Sequence, residues 1–374
     1  MNITIVTSPF GCIPPYSLGA VERRWHQVGV YLREHGHNVT FISKKPTENI
    51  TDSEGYIYIK GYGRSKCTLI DNTLRDALYS WKALSSAPKS DVIVLNTIWS
   101  PILILLFWWK FKTSVYNVAR FPKFQTGLYG LVSCLSCVSS PVLSALVQMH
   151  PHLKSKSTFV NNPINTSGFR CDQTFQKFGD IVKVVYSGRV HREKGLDVLA
   201  KALEIVSVES NRQFELSIVG PYEVGKGGSG EEYVNEIKDC AKSFKINWVG
   251  SLYSSEELAA ALKQNDIFCY PSLADKGETF GVAPLEAMGL GLITVVSALE
   301  CFSDFLVDGQ NGVVFNHRVA EPERELANAL KVLISDEQKC RNLSLAAAKT
   351  AERFSVDHIA QQYANLFQKL LRDA

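Results

Sequence analysis

The sequence predicts an α/β protein of two domains, each a doubly wound parallel sheet, on three observations. The chain has 374 residues, too many for one ordinary core and enough for two domains of about 150 to 200 residues each. Short apolar runs alternate with helical apolar stripes, as a parallel sheet covered by helices requires. The alternation breaks once, around residues 159–168, and then starts again.

Ile3 to Val6 form a short apolar strand, followed by a Gly/Pro-rich loop from Ser8 to Pro15. A helix comes next, with Val21, Trp25, Val28 and Leu32 as its buried stripe. Gly36 ends it, and Val39 to Ile42 is the second strand. Asp91 to Leu95 and Ser114 to Val118 are further buried strands. Phe159 to Ile164, with the polar Asn165-Thr-Ser-Gly168 behind it, reads as a linker. Val182 to Tyr186 then opens a new sheet, Leu196, Leu199, Leu203 and Val206 mark a helix face, and Phe214 to Val219 is the next strand, ending at Gly220. Ser355 to Leu371 reads as a long terminal helix with Ile359, Tyr363, Leu366 and Leu370 on one stripe, which needs a surface to cover. The expected limits are residues 1–165 for the first domain, 166–350 for the second, and 351–374 for the terminal helix.

Hydrophobic residues make up 45% and charged residues 21% of the chain, the balance of a soluble globular protein and not of a disordered or fibrous one. Nine scattered cysteines, an odd number without disulfide rhythm, fit a reducing cytosol. The close pair Cys134 and Cys137 lacks a second Cys or His pair to complete a zinc site and reads as core packing. The N-terminus lacks the basic start and long apolar core of a secretion signal. The apolar run Ile102 to Trp109 falls well short of the ~20 residues that span a bilayer.

Net charge is only +3, but residues 1–165 hold 17 Lys/Arg against 8 Asp/Glu, and the remainder 23 against 29. A basic first half beside Trp108 and Trp109 suits anionic lipid headgroups or a phosphorylated acceptor. It equally suits a solvated basic face around a buried apolar helix, and the sequence leaves both readings open.

Gly277-Glu-Thr-Phe-Gly-Val-Ala-Pro284 follows the apparent strand Asp266 to Tyr270. Proline lacks the N–H that would be unpaired in a helix's first turn, so Pro284 places a helix start near Val282. The amides of Phe280 to Ala283 are then open at the positive end of the helix dipole, where a phosphate is stabilised. Glu278 and Glu286, with seven residues between them, flank that space as acceptors for sugar hydroxyls. The plainer reading makes Glu278 a helix cap and Glu286 a surface charge. Tyr186-Ser-Gly-Arg-Val-His-Arg-Glu-Lys-Gly195 sets Arg189 and Lys194 at a strand's C-terminal end, where open α/β sheets bind ligands and a leaving diphosphate needs neutralising. By itself, such a basic loop is a solvated turn.

Ser187 to Gly195, the Glu278/Glu286 pair and Asp308-Gly-Gln-Asn-Gly312 together resemble the retaining GT-B glycosyltransferases of family GT4, in order and spacing across most of the second domain. The resemblance implies two facing Rossmann-like domains with a cleft between them, the nucleotide held mainly by the second, a C-terminal helix crossing back onto the first, and no metal or other cofactor. It implies that Arg189 and Lys194 contact the diphosphate, Glu278 the donor sugar and Glu286 the ribose, with Thr279, Phe280, Gly281 and Val282 lining the phosphates and Gly220 in the donor site. Gly19 matches the first glycine of the family's N-terminal Gly-Gly loop, and Ala20 replaces the second. Where many members carry a histidine near the reacting sugar, this chain has Asn117, which can donate a hydrogen bond but cannot take a proton near neutral pH. Arg120 offers a charge nearby. Asn117 and Arg120 read equally as a strand end and a surface cation.

The implied reaction moves a hexose-type sugar from a nucleotide diphosphate-sugar, with UDP or GDP expected, to a glycan or polyprenyl-diphosphate-linked acceptor with retention of configuration. The leaving phosphate serves as base. The implied setting is bacterial surface polysaccharide synthesis (lipopolysaccharide O-antigen, core or capsule), in the cytoplasm or peripherally on the inner membrane face, with no nucleic-acid partner. A dinucleotide dehydrogenase is excluded, because Ser8-Pro-Phe-Gly stands in place of Gly-x-Gly-x-x-Gly and Ser43-Lys-Lys in place of an acid after the second strand. A nucleotide-sugar epimerase on the same plan and a non-catalytic sugar-nucleotide binder remain the alternatives.

Overall fold

The computed structural model describes residues 1–14, 20–46, 54–62, 69–166, 168–171 and 174–373. They fall into two compact units, Met1–Pro163 with Val356–Ala374, and Ile164–Ser355.

The first unit is built on seven strands: β1 (Asn2–Val6), β2 (Asn38–Lys44), β3 (Tyr56–Ile59), β4 (Ser90–Leu95), β5 (Phe111–Val118), β6 (Cys134–Cys137) and β7 (Ser157–Phe159). All pair in parallel, in the order β3-β2-β1-β4-β5-β6-β7. Its helices are α1 (Ala20–Glu34), α2 (Leu69–Ser86), α3 (Ser100–Leu103) and α4 (Ser140–Met149). The near-continuous apolar runs of β1 and β4 follow from burial on both faces. Cys134 and Cys137 lie in β6 within the core, and burial pushes the Cys134 thiol up to about 12.

Two features depart from the sequence pattern. On α1 the buried face includes Glu22 and Arg24 beside Trp25, Val28 and Leu32. The apolar run from Ile102 is no continuous helix: α3 stops at Leu103, a 3₁₀ segment runs from Ile104 to Lys110, and Leu105, Leu106, Trp108 and Trp109 are exposed.

The second unit has six parallel strands: β8 (Ile181–Ser187), β9 (Gln213–Val219), β10 (Lys245–Gly250), β11 (Ile267–Tyr270), β12 (Ile293–Ser297) and β13 (Val313–Phe315). They run in the order β10-β9-β8-β11-β12-β13. Helices α5 (Leu196–Ser210), α6 (Gly230–Cys240), α7 (Ser255–Lys263), α8 (Val282–Gly289), α9 (Pro322–Ser335) and α10 (Glu337–Glu352) cover them. The final helix, α11 (Val356–Arg372), belongs to the first unit, where it packs on α1 with Ile359, Tyr363 and Phe367 buried. Against the expected limits, the breaks fall after Pro163 and after Ser355.

Candidate functional site

In each sheet the strand order reverses beside the first strand, between β1 and β4 in one unit and between β8 and β11 in the other. Connections leaving two such neighbours diverge to opposite faces of the sheet, which opens a ligand-sized crevice at their C-terminal ends.

In the second unit the diverging loops are Gly188–Gly195 after β8 and Pro271–Gly281 after β11. They are stitched together. The amide of Leu273 donates to the Glu193 carbonyl at 2.8 Å and the Ser272 hydroxyl to the same oxygen at 3.4 Å. Gly195 makes this approach possible: its φ is +65°, and a Cβ there would stand 2.3 Å from the Pro271 carbonyl oxygen. Beneath the loops Tyr186 stacks on Tyr270 with ring centroids 5.5 Å apart, and the Tyr186 hydroxyl donates to the Arg189 carbonyl at 2.9 Å.

A chain of alternating charges runs through this crevice. Arg189 meets Glu193 at 3.0 Å, Lys194 lies 3.9 Å from the same Glu193 oxygen, and Lys194 forms a close ion pair with Glu278. The Lys194 and Glu278 side chains are only 7% and 12% exposed, so this pair is shielded from water as an ordinary surface pair is not. Glu278 also accepts from the Tyr270 hydroxyl at 2.8 Å and the Ser272 hydroxyl at 3.3 Å. Burial, helped by the Glu278 charge, pushes the Tyr270 phenol well above its usual 10, so it stays a donor. Arg189 is half exposed and also donates to the Gly227 carbonyl at 3.1 Å.

Glu278 leads directly into α8. Gly281, at φ +90°, starts this helix with no side-chain cap. The amides of its first turn have no acceptor within the helix. Phe280 is buried against Phe305 and Phe354, which fixes the turn from behind. Glu278 therefore does not cap α8, and Glu286 is no surface charge, being 5% exposed inside the helix. Thr279 lies between Glu278 and Phe280 on the same turn. Gly220 ends β9 beside the site, its amide bonded to the Gly250 carbonyl at 2.7 Å. The loop of Asp308 to Gly312 is a turn locked from within: Asp308 accepts from the Val314 amide at 2.8 Å and Asn311 from the Val307 amide at 2.7 Å.

Sequence reasoning missed Glu193, Tyr270 and Ser272. Glu193 sits within the motif already singled out, and its place between two cations was the available signal. Tyr270 and Ser272 carried none, since a tyrosine closing a buried strand reads as core.

In the first unit, the C-terminal ends of β4 and β5 carry a buried polar cluster. The Asn117 amide donates to the Asn96 side-chain oxygen at 2.8 Å, and Asn96 donates to the Val6 carbonyl at 2.8 Å. Arg24, 3% exposed, donates to the Asn117 oxygen at 3.1 Å, to the Val160 carbonyl at 2.9 Å, and closely to the Tyr363 hydroxyl. Burial pulls the Arg24 guanidinium down to about 9. Asn117 is thus buried and held by two internal bonds, and Arg120 is exposed. Gly19 lies outside the described residues.

Residues 172–350 match the family model described as glycosyl transferases, group 1. The chain is 27% identical over 185 residues to the D-inositol 3-phosphate glycosyltransferase of Corynebacterium aurimucosum, covering 49% of this chain and 42% of that protein. It is 23% identical over 224 residues to the lipopolysaccharide 1,2-N-acetylglucosaminetransferase of Salmonella typhimurium, covering 59% and 56%. It thus spans about half the length of the curated relatives it matches. Among solved structures, a glycosyltransferase from Rickettsia africae superimposes with a TM-score of 0.76 at 16% identity over 100% of this chain and 99% of that one. The HepE protein of Anabaena, in complex with UDP-glucose, superimposes with a TM-score of 0.68 at 17% identity over 99% and 100%. These superpositions establish the fold, two Rossmann-like α/β units of the GT-B class.

Proposed function

From a second unit that matches the model of the glycosyl transferases of group 1 over residues 172–350, we propose that this protein transfers a hexose-type sugar from a nucleotide diphosphate-sugar to a glycan or lipid-linked acceptor, with retention of configuration as in family GT4. The observation that carries this reading is the buried Lys194–Glu278 pair, set at the strand-order reversal and continuous with the uncapped start of α8. Two cations and a helix N-terminus suit a diphosphate, and a carboxylate beside them suits sugar hydroxyls.

In this reading the donor's diphosphate takes over part of the work Glu278 does for Lys194. Arg189, Lys194 and the amides of Phe280 to Val282 then meet the negative charge that builds on the leaving phosphate. Glu278 is released to orient the transferred sugar, and Glu286 reaches the ribose. The acceptor hydroxyl attacks on the face from which the diphosphate leaves, and that phosphate takes its proton. No step calls for a metal or another cofactor.

The nucleotide is UDP or GDP, and the UDP-glucose held by a structural neighbour supports the first of these. Synthesis of bacterial surface polysaccharide is supported by a relative named as a lipopolysaccharide 1,2-N-acetylglucosaminetransferase; a polyprenyl-diphosphate-linked acceptor at the inner face of the cell membrane is proposed with it.

A thermal-shift screen against UDP-, GDP-, ADP- and dTDP-sugars tests the donor class, since a ligand at about 100 times its Kd adds about 2.7 kcal/mol. Proton NMR of the transfer product then reads the anomeric configuration. Donor turned over into an inverted product would overturn retention, and no stabilisation by any of the four nucleotides would overturn the donor site.

A further inference from the structure

The first unit exposes large apolar side chains on three neighbouring elements. On α2, Leu74, Leu78 and Trp81 are 61%, 58% and 49% exposed and follow one another at helical spacing, so they share a face. In the segment 104–110, Leu105, Leu106, Trp108 and Trp109 are 51%, 52%, 70% and 57% exposed. In the 3₁₀ segment Phe124–Leu131, Phe124 reaches 90%, and Leu128 and Leu131 are also exposed. These elements adjoin one another: α3 packs against α2 and against the segment 124–131, and Phe107 lies between Trp81 and Trp109 at ring distances of 5.3 and 6.0 Å. Single exposed apolar residues are ordinary, but a contiguous aromatic and leucine-rich surface marks an interaction site.

The charge around this surface is mainly positive, and the partly exposed Asp71 of α2 is paired with Arg75 at 2.8 Å. From Val92 to Cys171 the sequence contains no Asp or Glu and seven Lys or Arg. Lys82 follows Trp81 and is exposed, Lys110 sits 5.6 Å over the Phe107 ring, Lys123 precedes Phe124, and Lys156 donates to the Gly130 carbonyl within the third segment. On α2 the carboxylate of Asp76 is buried and turned inward, accepting from the Trp99 amide. Tryptophans with leucines beside a rim of lysines match the boundary of an anionic bilayer, where indole rings settle at headgroup depth and cations meet lipid phosphates. No helix among the described residues is long and apolar enough to cross a membrane.

We infer that this face, formed by α2 and the segments 104–110 and 124–131, docks in the plane of an anionic lipid surface, with Trp108, Trp109 and Phe124 entering the headgroup region. An anionic lipid surface is the partner this gives the proposed transferase, and the observations for it lie wholly in the first unit, while those for the donor site lie in the second.

The test is flotation of the full chain with vesicles of phosphatidylcholine, alone or with about one third phosphatidylglycerol. The protein is expected to float with the anionic vesicles and not with the neutral ones, and less at high salt, which screens the rim. Trp108→Ser with Trp109→Ser should weaken anionic-vesicle binding about tenfold or more, since two exposed indoles lose their apolar burial. Because both side chains are exposed, the variant should keep its melting temperature and its donor binding. A failed donor screen with intact flotation would then sink the function and leave the surface standing. Absence of anionic-vesicle binding, equal binding by the double variant, or a concentration-dependent doubling of mass abolished by that variant, which would mean a second copy covers the patch, would each overturn the inference.

Discussion

Replacing Lys194 with methionine takes the cation away from Glu278 while keeping most of the side chain's length. Breaking a fully buried ion pair by removing one partner costs about 3–5 kcal/mol, because the remaining charge is left uncompensated. Here Glu278 keeps the Tyr270 and Ser272 hydroxyls at 2.8 and 3.3 Å. Each such bond is worth about 1 kcal/mol, so the expected loss falls to about 2 kcal/mol. Adding Glu278→Gln removes the orphaned carboxylate, so the double variant should be more stable than Lys194→Met alone, with a coupling of about 2 kcal/mol in the four-protein cycle. Urea unfolding of the full chain measures this, read on whichever transition shifts, because two units need not unfold together. Costs that simply add, with coupling below about 0.5 kcal/mol, would refute the pair's role in the fold. The same single variant should lower turnover about a hundredfold. Coupling in stability with unchanged UDP affinity and turnover would mean that the pair is structural only.

Other perturbations reach the supporting structure. Gly195→Ala places a methyl 2.3 Å from the Pro271 carbonyl at a φ of +65°, which should cost about 2 kcal/mol or more and part the two loops; calorimetry should find UDP binding weakened at least tenfold, and wild-type affinity would show that the approach is irrelevant to the site. His317 is buried with both ring nitrogens unpaired among the described residues, 3.6 Å from Asp275, which pairs with Arg318 at 2.5 Å. Burial, and then Arg318, hold its pKa below 6.5 against the pull of Asp275. The unfolded chain therefore binds the proton first, and stability should fall as pH drops below 6.5; His317→Gln should flatten that dependence in melts across pH 5 to 8, as it would not if another group governs it. Arg24→Lys cannot keep bonds to Asn117, Val160 and Tyr363 at once, so the melt should show a loss of about 2 kcal/mol.

Much of the fold was written locally. Apolar runs at Ile3–Val6, Asp91–Leu95 and Val182–Tyr186 announced buried parallel strands, and Pro284 behind Gly281 announced the start of α8, because proline and glycine constrain the backbone wherever they occur. Lys194 and Glu278 could be named as site residues from the segments that carry them. Their pairing could not, for they stand 84 residues apart, and only the order β9-β8-β11-β12 sets their strands side by side. The bond from Arg24 to Tyr363 spans 339 residues and turns a position on an apolar helix face into a buried cation's site. The run from Ile102 to Trp109 has the composition of a core helix, yet packing leaves half of it in solvent. Periodicity and backbone chemistry fix what each segment can become, since they act within a few residues. Which side chains share a crevice, and which apolar face stays uncovered, is decided by strand order and helix packing, which act between segments that the sequence keeps far apart.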